Sequence, residues 1–250
     1  MGLVTLPREN QVLAGLSGAE FERLRPHLER VTLERGTILF SPGEIARHIY
    51  FPVSAIVSLI CSTPAGESVA VVLTGREGVV GVSLCMGREV PATRALVQVT
   101  GTCYRASAAV MQTEFACGGS LQSLVLKSTL ELMTQMAQSV VCNRHHKLEQ
   151  QLCRWLLMTL DRSRGDLIHL TQEAIANLLG VRREGVSNAA GKLESAGLIV
   201  TTRGRIRVID RLGLERQACG CYFSNKPQVT SCVDPTGDAV FGHQPVQRHA

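Results

Sequence analysis

Residues Ser120 to Arg164 contain neither glycine nor proline, a run of 45 residues in a chain that holds 23 Gly and 9 Pro. A run free of both helix interrupters predicts long helix. It also divides the chain. Upstream, Val31 to Ser107 is rich in Val, Ile, Leu and Thr, in short runs separated by Gly36, Gly43, Gly66, Gly75, Gly78, Gly81, Gly87 and Gly101. That is the pattern of a compact antiparallel β domain. Within the helical run Leu126, Met133 and Val140 recur every seven residues, with Leu130 and Ala137 between them. Such a seam suits pairing with a second helix. The competing use of this helix is packing on the β domain through Leu121, Leu124 and Val125; the spacing favours a seam between two subunits. The apolar pattern lapses at His145, His146 and Lys147 and resumes at Leu148, Leu152, Trp155 and Leu156, which places a hinge between two helices.

Downstream, Gln172 to Gly191 reads QEAIANLLGVRREGVSNAAG. Ile175 and Ala176 share one face of a first helix, Leu179 closes it, and Gly180 suits the positive φ of a tight turn. Val181, Val186 and Ala189 then face inward on a second helix, which leaves Arg182, Arg183, Glu184, Ser187 and Asn188 outward. This is the pattern of a helix-turn-helix. After it, Gly197 ends the helix, and the runs Leu198 to Thr201 and Arg205 to Ile209 bracket Arg203-Gly204 as a winged hairpin. Ile206 and Val208 alternate with Arg205 and Arg207, so one face packs and the other offers cations. From Val181 to Arg207 there are six Lys or Arg and two Glu, net +4, in a chain of net charge +5. Excess positive charge concentrated there points to a polyanion, double-stranded DNA, as partner.

At 250 residues and 45% apolar content the chain can bury the cores of two domains. MGLVTLPREN has no long apolar core for a signal peptide, Leu6 stands where a myristoylation signal needs a hydroxyl, and no apolar run has the length of a membrane span. A cytoplasmic protein with reduced thiols and no membrane partner is expected.

β domain, long helix and winged helix-turn-helix, in that order, resemble the Crp/Fnr family of bacterial transcription regulators. GTILFSPGE from Gly36 to Glu44, with HIYFPVSAIVSL after it, resembles the opening strands of that family's cyclic-nucleotide-binding jelly roll; VRREGVSNAAGKLESAGLI is the most specific stretch. The resemblance implies an α+β chain: a sensor β-roll over 12–117, a long dimerisation helix over 118–147 and a winged helix-turn-helix over 148–216. A loosely ordered tail over 217–250 is expected to follow. It further implies a homodimer that binds DNA near promoters and meets RNA polymerase. The DNA-binding set is Thr171, Gln172, Arg182, Arg183, Glu184, Ser187, Asn188, Lys192, Arg203 and Arg205; the dimer interface is Leu126, Met133, Ala137 and Val140. A ligand-binding or interaction module of the same fold without DNA binding is the alternative.

Family members that bind cyclic AMP carry Gly-Glu-Leu for the ribose and Arg-Ser-Ala or Arg-Thr-Ala for the phosphate. This chain has Gly81-Val82-Ser83 and Thr93-Arg94-Ala95 instead. Val82 accepts no hydrogen bond, and the reversed order of hydroxyl and arginine exchanges their faces on an extended segment. A small anionic effector other than cyclic AMP is therefore expected at Gly81, Val82, Thr93, Arg94, Ala95 and Met136. The other use of Arg94 is a structural pair with Glu77 or Glu89.

The first cysteine is Cys61, so the N-terminal cysteine cluster of the family's iron-sulphur members has no counterpart here. Cys61, Cys85, Cys103, Cys142 and Cys153 stand among apolar residues and read as small core packers. Cys219, Cys221 and Cys232, with His243, match no compact zinc spacing, so no metal is assigned; His145-His146 reads as a solvated or capping pair. Gly185 to Ala189 approaches the G-x-S-x-G nucleophile elbow but lies inside a helix, which argues against an enzyme.

Overall fold

The computed structural model describes residues 7–163 and 165–224. Helices α1 (Gln11–Ala14) and α2 (Gly18–Leu24) precede the strands β1 (Glu29–Leu33), β2 (Ile38–Phe40), β3 (His48–Pro52), β4 (Ile56–Ser62) and β5 (Ser68–Thr74). The short helix α3 (Val82–Cys85) follows, then β6 (Arg94–Val99), β7 (Gly101–Ser107) and α4 (Ala108–Ala116). These strands form two antiparallel sheets, ordered β1-β7-β3 and β2-β6-β4-β5. Ile49, Phe51, Tyr104 and Ala106 of one sheet and Val57, Leu59, Val72 and Val97 of the other share the core between them.

The run without glycine or proline forms two helices, α5 (Gly119–His145) and α6 (Leu148–Arg162), broken at His146 and Lys147 where the apolar pattern lapses. Of the two expected uses of α5, packing on the β domain is present in the single chain, and the seam is left open. Leu121 and Val125 are buried in the sensor core, with Leu124 packed against it, whereas the seam stands in solvent. β5 is the edge strand of its sheet, and α5 satisfies the groups that edge leaves open. Leu73 N–H donates to Gln135 Oε1 at 3.2 Å, and Ser139 Oγ donates to the Val71 carbonyl at 3.1 Å.

After α6 come β8 (Leu167–Ile168), α7 (Gln172–Leu179), α8 (Arg183–Ser195), β9 (Ile199–Thr202), β10 (Arg205–Val208), α9 (Arg211–Gln217) and α10 (Cys221–Ser224). This head shares a core with the outer face of the β4-β5 sheet, where Ile56, Ile60 and Leu73 meet Leu152, Trp155 and Leu156. β4 is consequently buried from Ile56 to Ile60 without alternation, because each face is covered. A buried ion pair ties the two bodies, Arg162 Nε to Glu77 Oε1 at 2.6 Å. Glu77 is thus the partner of Arg162 and not of Arg94.

Two further expectations are corrected. Residues 217–224 are not loose: Cys219, Cys221 and Tyr222 are buried, and the Tyr222 hydroxyl donates to Asp161 Oδ2 at 3.0 Å, so ring and hydroxyl both dock on α6. The rest of the expected tail, with Cys232 and His243, lies outside the described residues. Cys61 is exposed at the end of β4, beyond the reach of either core. Burial does push the Cys85, Cys103 and Cys153 thiols up to about 12, as suits core packers. Among the described residues, no helix is long and apolar enough to cross a membrane.

Candidate DNA-reading head and effector pocket

Thr171 caps α7, its Oγ1 accepting from the Ala174 N–H at 3.1 Å. Gly180 ends the helix at φ +67°, and a Cβ there would stand 3.3 Å from Val69 on β5, so backbone and neighbour both call for glycine. Arg182 occupies the N-cap of α8 without a side-chain cap bond; Glu184 in the first turn opposes the positive end of the helix. Val186, Ala189, Ala190 and Leu193 are buried, and Arg182, Arg183, Glu184, Asn188 and Lys192 are exposed. Gly185 lets α8 press on α6, since a Cβ would lie 3.0 Å from Leu148 Cδ2.

Ser187 differs from its expected outward placement. It is half-buried and its Oγ donates to Gln172 Oε1 at 2.6 Å, so this hydroxyl joins α8 to the start of α7. Lys192 is ion-paired with Glu149 of α6. In the wing, Arg205 pairs with Thr202, Ile206 with Thr201, Arg207 with Val200 and Val208 with Ile199, around a turn in which Gly204 has φ +72°. Ile206 and Val208 point into the core while Arg205 and Arg207 stay exposed. A groove of about 430 Å³ runs between wing and helices, lined by Thr171, Gln172, Arg183, Arg203 and Arg205 among others. Residues spread over 35 positions of sequence thereby face one concave surface, the geometry that gripping a phosphate backbone beside a base-reading helix needs.

The sensor domain holds a cavity of about 200 Å³ against α5, lined by Phe40, Leu59, Gly81, Val82, Ser83, Arg88, Pro91, Ala92, Thr93, Thr129, Leu132, Met133 and Met136. Gly81, Val82, Thr93 and Met136 stand where the sequence puts them. Arg94 and Ala95 do not. Thr93 turns toward the cavity, Arg94 at the start of β6 is exposed, and Ala95 is fully buried between the sheets, because successive residues of an extended segment alternate faces. The cation of this pocket is Arg88, whose Nε donates to the Val90 carbonyl at 3.0 Å in the loop after α3. No periodicity singles out that residue; only the loop's return over the cavity brings it there. Thr129 and Met133 were likewise hidden, since α5 reads as one amphipathic seam.

Two domain families match the chain: the cyclic nucleotide-binding domain over residues 30–116 and the Crp-like helix-turn-helix domain over residues 150–217. Among curated relatives, the global nitrogen regulator of Synechocystis sp. is 28% identical over 197 residues, covering 74% of this chain and 87% of its own length. That of Nostoc sp. is 29% identical over 198 residues, with coverage of 74% and 87%. A Crp/Fnr-family regulator from Eubacterium rectale superposes with a TM-score of 0.67 at 15% identity, covering 84% of this chain and 98% of its own. A CRP-family regulator from Thermus thermophilus gives 0.64 at 20% identity, with coverage of 75% and 96%. At such identities these two structures speak to fold alone. β-roll, long helix and winged reading head together define a DNA-binding regulator that carries a cyclic nucleotide-binding-type domain. The chain belongs to the Crp/Fnr family of transcription regulators.

Proposed function

We propose that the chain works in the cytoplasm as a homodimer on a two-fold DNA site, and that a small anionic ligand other than cyclic AMP sets its affinity from the cavity beside α5. The observation that carries this reading is the double position of Met133, which lines the cavity and is also 61% exposed on the seam. Leu126, Leu130 and Val140 are 49%, 64% and 68% exposed along the same helix, an apolar stripe that a second copy would cover. A ligand under Met133 would then bear directly on the subunit interface. The cavity is smaller than the roughly 300–1,000 Å³ of sites for drug-sized ligands, and Val82 offers no acceptor for a ribose. Arg88 supplies the anion's partner, and Phe40, Leu59 and Leu132 favour an apolar remainder.

On DNA, Arg183 suits guanine O6 and N7, Glu184 a cytosine amino group and Asn188 adenine, while Arg203 and Arg205 meet phosphates. Near promoters the bound dimer would meet RNA polymerase. Selection of genomic DNA fragments by the purified chain, paired with sedimentation, tests the reading. Enrichment of a two-fold sequence by a dimer is expected, and promoters of nitrogen-responsive genes are the first to inspect in view of the names of the relatives. A monomer holding a single half-site tightly, or ligand binding with no DNA affinity at any salt, would overturn it.

A further inference from the structure

Cys142 lies in the last turn of α5 and His146 caps its C-terminal end, the His146 N–H donating to the Cys142 carbonyl at 3.1 Å. Cys219 lies between α9 and α10, and Cys221, beyond Gly220, opens α10. Although 77 residues separate Cys142 from Cys219, their Sγ atoms lie 3.5 Å apart. Cys221 Sγ lies 3.4 Å from His146 Nδ1, and all four donor atoms fall within 4.8 Å of one another. A tetrahedral zinc ion, with Zn–S of about 2.3 Å and Zn–N of about 2.0–2.1 Å, requires donor separations of about 3.5–3.8 Å. The spread here suits one ion after small side-chain adjustments. The three cysteines are buried and the histidine half-buried, so water competes weakly for the position.

We propose that Cys142, His146, Cys219 and Cys221 form a tetrahedral zinc site. Three thiolates with one imidazole are a donor set that favours Zn²⁺ over the hard cations, which take oxygen. The surroundings are those of a supported site. Gln138 Nε2 donates to Cys221 Sγ at 2.8 Å, and Gln151 Nε2 donates to the carbonyls of Cys142 and His146 at 3.5 and 2.9 Å. Arg154, buried one turn from the site through its 3.3 Å bond to Ser139, has an unpartnered Nε and brings positive charge toward a Zn(Cys)₃(His) centre of net −1. Loading releases three thiol protons to solvent and moves no electrons.

The ion would fasten the last turn of α5 to the C-terminal end of the reading head across the break at His146 and Lys147. It would thereby fix the head's orientation on the dimerisation helix; this consequence for DNA rests on the function proposed above, whereas metal binding does not.

The test uses the full chain, reduced and stripped with chelator, titrated with Co²⁺ and then Zn²⁺. One Co²⁺ per chain is expected, with the intense visible bands of tetrahedral cobalt and thiolate charge transfer in the near ultraviolet, displaced by one Zn²⁺ and accompanied by a rise in Tm. Cys221→Ser and His146→Gln should each weaken binding at least about tenfold and lose the Tm rise, while Cys117→Ser and Cys232→Ser leave both unchanged. His146 is half-buried, so its variant keeps the test valid if Cys221→Ser misfolds. No tetrahedral cobalt spectrum in the parent, or an unaltered one in His146→Gln, overturns the site. A metal-loaded chain whose operator affinity matches the metal-free one would remove the coupling to DNA and leave the site standing.

Discussion

Arg183, Arg203 and Arg205 stand in solvent along one groove of the head, whereas the sensor cavity has one cation, Arg88, among Phe40, Leu59, Leu132 and Met136. The head meets its ligand as a surface, with charges that stay hydrated until they neutralise phosphates and release the counterions condensed on DNA. The cavity is lined mostly by apolar side chains, so a ligand held there, as proposed above, would be oriented by one charge. The difference teaches where each function is encoded. A surface reader depends on which residues face outward on one or two elements, and a cavity depends on loops and strands that return from distant parts of the chain.

Met133 lines the cavity and stands on the seam of α5, and Met133→Glu is the sharpest test of whether that helix links the cavity to the head. Like charges would meet across the two-fold axis; sedimentation should show monomer, and operator affinity should fall about a thousand-fold or more, toward non-specific binding. A dimer with unchanged affinity would detach α5 from DNA reading. Glu77→Gln probes the other connection. It leaves the Arg162 guanidinium, whose side chain is 2% exposed, without its carboxylate. Removing one partner of a buried pair costs about 3–5 kcal/mol, to be read by denaturant unfolding, and Gln there should loosen the head from the β4-β5 sheet.

Within the head, Arg183→Ala is expected to cost about 1–3 kcal/mol on a selected site and relax preference at one base pair per half-site. Arg203→Ala should instead weaken all sequences alike and reduce the salt slope by about 1. Equal behaviour of the two variants in a binding series across salt would erase the distinction between reading and gripping. Within the sensor domain, Arg88→Ala should abolish calorimetric binding of whichever small carboxylate or phosphate binds the parent, and Arg94→Ala should not. The reverse result would return the anion site to Arg94.

The smallest expected effect lies where α2 meets α5. The hydroxyls of Ser120 and Ser17 and the Leu121 N–H hold the Glu20 carboxyl at about 2, below its ordinary 4.5. A carboxyl whose folded value lies below its unfolded one stabilises fully above about 4.5 and loses that contribution as pH falls through about 2. Glu20→Gln should therefore lower Tm at pH 7 modestly, with the gap to the parent closing below pH 4.5. A gap that stays constant down to pH 2 would assign the loss to packing.

The reading head was legible because its information is local. Ile175, Ala176, Val186 and Ala189 repeat at helical spacing, and the opposite face follows from the period, so Arg182, Arg183, Glu184 and Asn188 could be named before any fold was seen. Gly180 and Gly204 likewise announced their turns, and the positive φ values at both positions agree. Ser187 escaped because its partner Gln172 lies on the other helix, and a hydrogen bond between elements leaves no trace in the period of either.

By itself, then, the sequence determined the order of the elements, the break at His146, the outward set on α8 and the seam of α5, each a consequence of helical or strand periodicity or of residues that stop a helix. Tertiary structure alone decided what those elements bring together. It turned Arg94 outward and carried Arg88 over the cavity. It gave Glu77 to Arg162 and closed Cys142 and His146 onto Cys219 and Cys221. The physical reason is that periodicity records which face of an element is buried, while the partner across that face is chosen by packing between segments that can stand far apart in the chain.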